Sequence, residues 1–146
     1  MTHAPRPLDG VRVVEFSHMV MGPTCGLILA DLGADVVKVE PAPEGDKTRR
    51  LPGSGSGFFG TYNRNKRSIS VNLKSVEGLE FAIQLVRASD VLLENFGAGV
   101  LDRLGLGYEA IQKINPSLVY CALKGFLSGP YEQRAALDEV VQMMGG

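Results

Sequence analysis

The chain has 146 residues and a formal net charge of −1, with 45% hydrophobic and 21% charged residues. This length suits one domain, and the near-neutral charge gives no general attraction to nucleic acid or to an anionic membrane. Two cysteines, Cys25 and Cys121, are too few for a disulfide scaffold and are not spaced as a metal-binding pair. The first residues lack the apolar region of a secretory signal, and no apolar run approaches the ~20 residues that span a bilayer. We therefore expect a cytoplasmic protein with no metal and with neither a membrane nor a nucleic-acid partner.

Short apolar runs alternate with helical patterns along the chain. The apolar runs predict strands over 11–16, 35–40, 68–73, 91–93 and 118–123. Helical spacing predicts helices over 24–32, 76–88, 98–104, 108–114 and 137–144. Gly33 is a natural end for the first helix, and Ser75 is a natural cap for the second. This order is typical of an open α/β sheet built from parallel strands.

One long segment, residues 41–65, fits neither pattern. It is rich in proline and contains the run GSGSG, which predicts a loop that is either functional or mobile. At its end, Arg64, Lys66 and Arg67 could hold phosphate groups. The alternative is a basic loop that is simply solvated.

Three polar or glycine-marked segments follow predicted strands: SHMVMGP at 17–23, ENFG at 94–97 and KGF at 124–126. The carboxyl ends of parallel strands lie at one edge of a sheet, where ligands bind. The segments therefore predict a site for a polar, phosphorylated ligand. The first two segments also have structural alternatives: a histidine bonded to backbone and a tight turn at Gly22-Pro23 in the first, and a turn asparagine beside a core phenylalanine in the second. The absence of G-x-G-x-x-G and of a Walker A sequence argues against nicotinamide, flavin and P-loop nucleotide sites.

Candidates for acid–base chemistry are few. Asp138 and Glu139 open the last predicted helix, where the helix dipole favours carboxylates whether or not they take part in catalysis. Both cysteines fall in predicted elements and are expected to be buried. With only His3 and His18 available, no nucleophilic triad can be assembled from the sequence.

Several longer motifs resemble those of one family. They include DLGADVVKVE at 31–40, NRNKRS at 63–68 and DVLLENF at 90–96, and shorter matches lie at 7–13, 22–23, 45–49, 73–78, 104–107, 115–120 and 129–131. In this order, over almost the whole chain, they resemble the N-terminal portion of the class III CoA-transferases. That superfamily also holds carnitine/bile-acid CoA-transferases, formyl-CoA transferase and α-methylacyl-CoA racemases.

The resemblance implies a fold and a ligand. The fold would be a Rossmann-like, open, mainly parallel sheet of about five strands with helices on both faces. Residues 1–146 would form the N-terminal, CoA-binding part of the large domain, the rest of the family fold being absent from this chain. CoA or acyl-CoA would be a substrate rather than a tightly bound cofactor, and the full-length form would be an interlocked homodimer. The positions that match the family's CoA contacts are His18, Lys74, Asn95, Phe96, Arg103 and Lys124.

The resemblance also implies a reaction that moves CoA between an acyl-CoA and a carboxylic acid. Family transferases use an aspartate that forms a mixed anhydride and then an aspartyl-CoA thioester, and it lies beyond the position matching Gly146. We therefore expect this chain alone to have no turnover. Asp138 matches an acidic residue that assists the site without being the nucleophile.

Leu137 stands where the superfamily's racemases carry a proton-exchanging histidine, which argues against racemisation. Residues 134–144 look most like those of transferases that act on small dicarboxylic acyl groups, such as mesaconyl-CoA. Two alternatives stay open: an α-methylacyl-CoA racemase, and a non-catalytic fragment that binds CoA.

Overall fold

The computed structural model describes residues 4–145, except the side chains of Asp138 and Glu139. It contains five strands, which are Arg12–Phe16 (β1), Asp35–Pro41 (β2), Arg67–Val71 (β3), Val91–Glu94 (β4) and Val119–Ala122 (β5). It also contains six α-helices, which are Met21–Asp31 (α1), Phe58–Asn63 (α2), Val76–Arg87 (α3), Val100–Arg103 (α4), Tyr108–Ile114 (α5) and Asp138–Gly145 (α6). No helix within this described part has both the length and the apolar character needed to cross a membrane.

The five strands form one sheet in the order β3-β2-β1-β4-β5, and every neighbouring pair is parallel. The chain builds outward from β1 to β3 and then returns to place β4 on the other side of β1. The order therefore reverses between β1 and β4, and a crevice opens there at the carboxyl ends of the strands. The predicted α/β architecture is confirmed.

Strand side chains alternate between two apolar layers. On one face Val14 and Phe16 of β1 pack with residues of α3, α4 and α5, including Val86 and Ile111. On the other face Val13 of β1 packs with α1 and with the ends of β2 and β4. Helices thus cover both faces, as an all-parallel sheet requires because its strands are apolar on both sides.

Ser75 caps α3 as predicted: its Oγ accepts a hydrogen bond from the N–H of Gly78 at 3.1 Å. Gly33 ends α1 with φ +112°, in the region that favours glycine. Several boundaries shift by one or two residues, and two larger differences from the sequence prediction concern α1 and residues 41–65. α1 begins at Met21, so Gly22-Pro23 lies inside its first turn, where proline is tolerated. The segment predicted as a loop contains the short helix α2, whose last residue, Asn63, donates its side-chain N–H to the carbonyl of Phe59.

The long segment between β2 and β3 is fixed to the sheet by the carboxylate of Glu40, at the carboxyl end of β2. Arg49 donates two hydrogen bonds of 2.7 Å to the two oxygens of this buried group. The N–H of Asp46 and the hydroxyl of Ser68 donate two more. The guanidinium of Arg49 also lies 3.7 Å from the centroid of the Phe59 ring, which joins α2 to the same anchor.

This anchor makes stability depend on pH. Burial tends to raise the pKa of Glu40, but the hydrogen bonds from Arg49, Ser68 and the Asp46 N–H outweigh burial and lower the pKa from 4.5 to about 2. A carboxyl whose pKa is lower in the folded state stabilises the fold above its unfolded pKa. That contribution is lost as pH falls through the folded value.

We predict that Glu40 contributes up to about 3 kcal/mol at neutral pH, and that this is lost between about pH 4.5 and pH 2. The Glu40→Gln variant should be less stable at pH 7 and should lose less stability over that interval, as measured by urea unfolding. Glu77→Gln, at an exposed position of α3, is the control and should keep the wild-type slope. A Glu40→Gln variant with the wild-type pH dependence would contradict the prediction.

Candidate ligand-binding site

The residues that follow β1 and β4 meet at the point where the strand order reverses. We call residues 17–23 the β1 turn and residues 95–97 the β4 turn. The side chain of Asn95 joins them: its Oδ1 accepts the N–H of His18 at 3.0 Å, and its Nδ2 donates to the carbonyl of His18 at 2.9 Å. Asn95 is thus more than a turn asparagine, because its amide links the turns that follow β1 and β4.

His18 and Phe96 form an aromatic pair across this junction. Their ring centroids are 5.7 Å apart, with an interplanar angle of 43°. Phe96 is half-buried and packs against the larger apolar layer, whereas His18 is exposed. The backbone of His18 makes the bonds to Asn95, so its imidazole is left available to a ligand.

The start of α1 presents backbone donors to the same crevice. Within the described residues, the N–H groups of residues 19–22 have no hydrogen-bond partner, and no side chain caps the helix. Met19 adopts φ +62°, which costs a non-glycine residue of order 1 kcal/mol. Unpaired N–H groups at a helix start favour an anion. The β1 turn can therefore bind a negatively charged group.

A buried ionic cluster lies beneath the β1 turn. Lys38 of β2 donates from Nζ to the carbonyl of Ser17 at 2.7 Å, and Lys66 donates to the carbonyl of Pro23 at 2.8 Å. Glu15 of β1 lies between them, with Oε1 at 3.5 Å from Lys38 Nζ and 3.0 Å from Lys66 Nζ. All three side chains are at most 1% exposed.

Two further contacts complete this cluster. Asp46 pairs with Lys38 at 3.1 Å, and the hydroxyl of Ser17 donates to Glu15 Oε1. Glu15 Oε2 lies 2.8 Å from Lys66 Nζ in an ionic contact without hydrogen-bond geometry. Burial lowers the pKa of Lys66, and the attraction of Glu15 opposes that shift. The cluster is balanced, with two ammonium groups and two carboxylates.

Each of the three basic residues at or just before the start of β3 has an acidic partner in the chain. Lys66 is buried in the cluster, Arg64 pairs with Asp31 at 2.6 Å, and Arg67 pairs with Asp35 at 2.5 Å. In this arrangement each of the three charges is paired with a carboxylate of the same chain. Lys66 is enclosed and Arg67 lies at the amino end of β3, opposite the crevice, so the structure does not group these three residues as a phosphate site.

The β4 turn is held by a second buried carboxylate. Glu94 Oε2 accepts the N–H of Phe96 at 2.9 Å, and its Oε1 lies 2.5 Å from the ammonium of Lys124. Lys124 also donates to the carbonyl of Phe96 at 2.7 Å. A cavity of about 510 Å³ opens beside this pair, between the turn after β5 and the start of α4. The ammonium of Lys124 thus orients the β4 turn.

The remaining candidates lie close to the same edge. Lys74 follows β3 and is exposed, and Arg103 ends α4, which begins shortly after the β4 turn. Neither has an ion-pair partner among the described residues. Leu137 is exposed. The predicted role of Asp138 depends on a side chain that lies outside the described residues.

Gly22 is required where the two turns cross. A Cβ at this position would lie 2.5 Å from Ser17 Cβ and 2.8 Å from Asn95 Cγ. We predict that Gly22→Ala lowers the free energy of unfolding by about 1–3 kcal/mol, because such an atom displaces the Asn95 amide. Gly60→Ala is the matched control, in a helix with nothing within 4 Å, and should be neutral or slightly stabilising. Equal urea midpoints for the two variants would contradict this.

Comparison with known proteins identifies the family. The model of CoA-transferase family III matches residues 8–146. Over 145 residues the chain is 47% identical to a formyl-CoA:oxalate CoA-transferase of Rhodopseudomonas palustris, covering 97% of this chain and 34% of that protein. It is also 47% identical over 145 residues to a protein of the same name from Streptomyces coelicolor, covering 97% of this chain and 35% of that one. The chain spans about a third of the length of these curated relatives.

Solved structures support the same family. A CaiB/BaiF family protein from Brucella suis superimposes with a TM-score of 0.89 at 45% identity, covering 98% of this chain and 40% of that one. A hypothetical protein from Mycobacterium tuberculosis gives 0.91 at 37% identity, covering 97% and 40%. With its sheet order, its strand-edge crevice and this match over nearly its whole length, the chain belongs to CoA-transferase family III.

Proposed function

We propose that this chain binds acyl-CoA at the crevice between the β1 and β4 turns. We further propose that the protein moves CoA from an acyl-CoA to a small carboxylic acid. The observation that carries the proposal is the Asn95 bridge, which joins the two turns beside four unpaired N–H groups at the start of α1. Family membership supports the chemical class of the ligand.

CoA offers two kinds of surface to such a crevice. Its phosphates suit the N–H groups of residues 19–22 and the charges of Lys74 and Arg103. Its adenine ring and pantetheine arm suit the flat apolar surface of His18 and Phe96, with the imidazole also able to donate to a phosphate or carbonyl. Asn95 and Lys124 serve the site by holding the two turns, since their polar groups are already bonded there.

The acceptor that we propose is a small dicarboxylate. The relatives named formyl-CoA:oxalate CoA-transferase, at 45–48% identity, support this choice, as does the sequence of residues 134–144. In the reaction, an aspartate would attack the thioester carbonyl to form a mixed anhydride and release the CoA thiolate. The thiolate would then attack the aspartyl carbonyl, giving an aspartyl-CoA thioester and the free acid. The acceptor would take CoA by the reverse sequence.

The resemblance puts that aspartate beyond the position matching Gly146, and Asp138 would assist near the reacting carbonyl. We propose a cytoplasmic, interlocked homodimer as the form that carries out the reaction. The chain itself supplies the CoA-binding edge.

We predict that the chain binds CoA in calorimetric titration and that ionic contacts contribute to affinity. Lys74→Ala/Arg103→Ala should weaken binding at least roughly tenfold, because charge-assisted hydrogen bonds contribute about 1.5–3 kcal/mol each. The matched control, Arg87→Ala/Lys113→Ala, removes the same charges from helix ends that lead into the amino ends of β4 and β5. Equal affinities of the two double variants would contradict the assigned phosphate contacts, and no binding by the wild type would overturn the proposed function.

We also predict no CoA transfer by the 146-residue chain with formyl-CoA and oxalate, because the resemblance puts the nucleophilic aspartate beyond the position matching Gly146. Transfer should be followed by chromatography of the acyl-CoA species, using protein from a host without a CoA-transferase of this family. Robust turnover would contradict the placement of the nucleophile beyond the position matching Gly146. Exchange of the α-proton of a 2-methylacyl-CoA with deuterated water would instead indicate the isomerase alternative, for which Leu137 offers no proton carrier.

A further inference from the structure

We infer that Lys38 and Lys66, bridged by Glu15, are positioning residues that fix both ends of the β1 turn for ligand binding. The inference rests on the proposed function in one respect, that the ligand of this turn is CoA. Its structural content stands on the buried contacts of the two ammonium groups.

The two lysines act on opposite ends of one short segment. Lys38 Nζ is 2.7 Å from the carbonyl oxygen of Ser17, where β1 ends. Lys66 Nζ is 2.8 Å from the carbonyl oxygen of Pro23, in the first turn of α1. Between these two fixed carbonyls lie the four residues whose N–H groups have no partner in the described structure. The buried ammonium groups therefore hold the acceptors of the turn inward and leave its donors for a ligand.

Glu15 makes the two contacts interdependent. Its Oε1 lies within 3.5 Å of both ammonium nitrogens and also accepts from the hydroxyl of Ser17. The carboxylate is fully buried, and α1 accommodates it only because residue 26 is glycine. A Cβ there would lie 1.8 Å from Glu15 Oε2. Helix α1, which begins in the β1 turn, thus packs against the same carboxylate that lies between the two lysines.

Direct binding of ligand phosphate by these lysines does not fit the structure. Both side chains are 1% exposed, and their charges are matched by the carboxylates of Glu15 and Asp46. A neutral, enclosed cluster neither attracts an anion over distance nor touches it. Its effect on a ligand has to pass through the backbone of the turn.

Each test variant replaces one of the two lysines together with one carboxylate partner, so that no net charge is left buried. Glu15→Gln/Lys66→Met deletes the bond to Pro23, and Lys38→Met/Asp46→Asn deletes the bond to Ser17. The matched control is Asp35→Asn/Arg67→Met, which makes the same change of charge at an exposed pair near the amino end of β2. All are made in the full 146-residue chain.

Two measurements are made on each variant. Amide hydrogen exchange, read by NMR, compares the N–H groups of His18 and Thr24, which are bonded within or next to the turn, with those of the central strands. Calorimetry measures CoA affinity. We expect each cluster variant to exchange at least tenfold faster at His18 or Thr24 relative to the strands, and to bind CoA at least tenfold more weakly. The control variant should change neither the exchange ratio nor the CoA affinity.

The outcomes separate this inference from the proposed function. If the wild type binds no CoA, the proposed function fails, and the exchange ratios alone decide the positioning role. Uniformly faster exchange over the whole sheet, or unchanged exchange at the turn, would overturn the inference, because the cluster would then stabilise the fold without fixing the turn. Failure of both cluster variants to fold while the control folds would overturn it for the same reason.

Discussion

A single buried carboxylate, that of Glu15, organises the centre of this fold. It lies on the middle strand of a parallel sheet, beneath a helix that makes room for it with a glycine, and it is matched by two enclosed lysines. Removing one partner of a buried ion pair typically costs about 3–5 kcal/mol, a large part of the 5–15 kcal/mol that stabilises a domain. Each buried charge therefore needs its partner, and the two paired lysines hold both ends of the β1 turn.

The second central strand ends in a comparable arrangement. Glu94 and Lys124 hold the N–H and the carbonyl of Phe96, so that buried carboxylates with lysine partners set both turns at the point where the strand order reverses. Asn95 then joins the two turns. The charged groups that orient the two turns are thus paired with each other inside the protein. The groups that remain available to a ligand at the carboxyl edge of the sheet are His18, Lys74, Arg103 and the backbone donors at the start of α1. This division between holding groups and available groups is what makes the edge suitable for a large phosphorylated ligand.

The fold could be predicted from the sequence because the apolar runs of the five strands and the periodicity of α3 are local signals. It also placed His18, Asn95 and Phe96 at one edge, since parallel topology brings strand ends together. It did not reveal that Arg64, Lys66 and Arg67 are paired, because ion pairs between residues more than 30 positions apart depend on tertiary structure. A signal for the cluster was nevertheless present: Glu15 and Lys38 are charged residues inside the apolar runs of central strands. Helix α2 was missed because its contacts run through Arg49 and Phe59 rather than through a local pattern.

The proposed function requires that CoA lie at the crevice between the β1 and β4 turns. Titration of isotope-labelled chain with CoA, followed by amide chemical shifts, tests this most directly. Binding at this site predicts that the largest shifts fall on residues 18–22 and 95–97, with smaller ones near Lys74 and Arg103 and none at the amino ends of the strands. Shifts concentrated elsewhere, or absent at saturating CoA in folded protein, would contradict it.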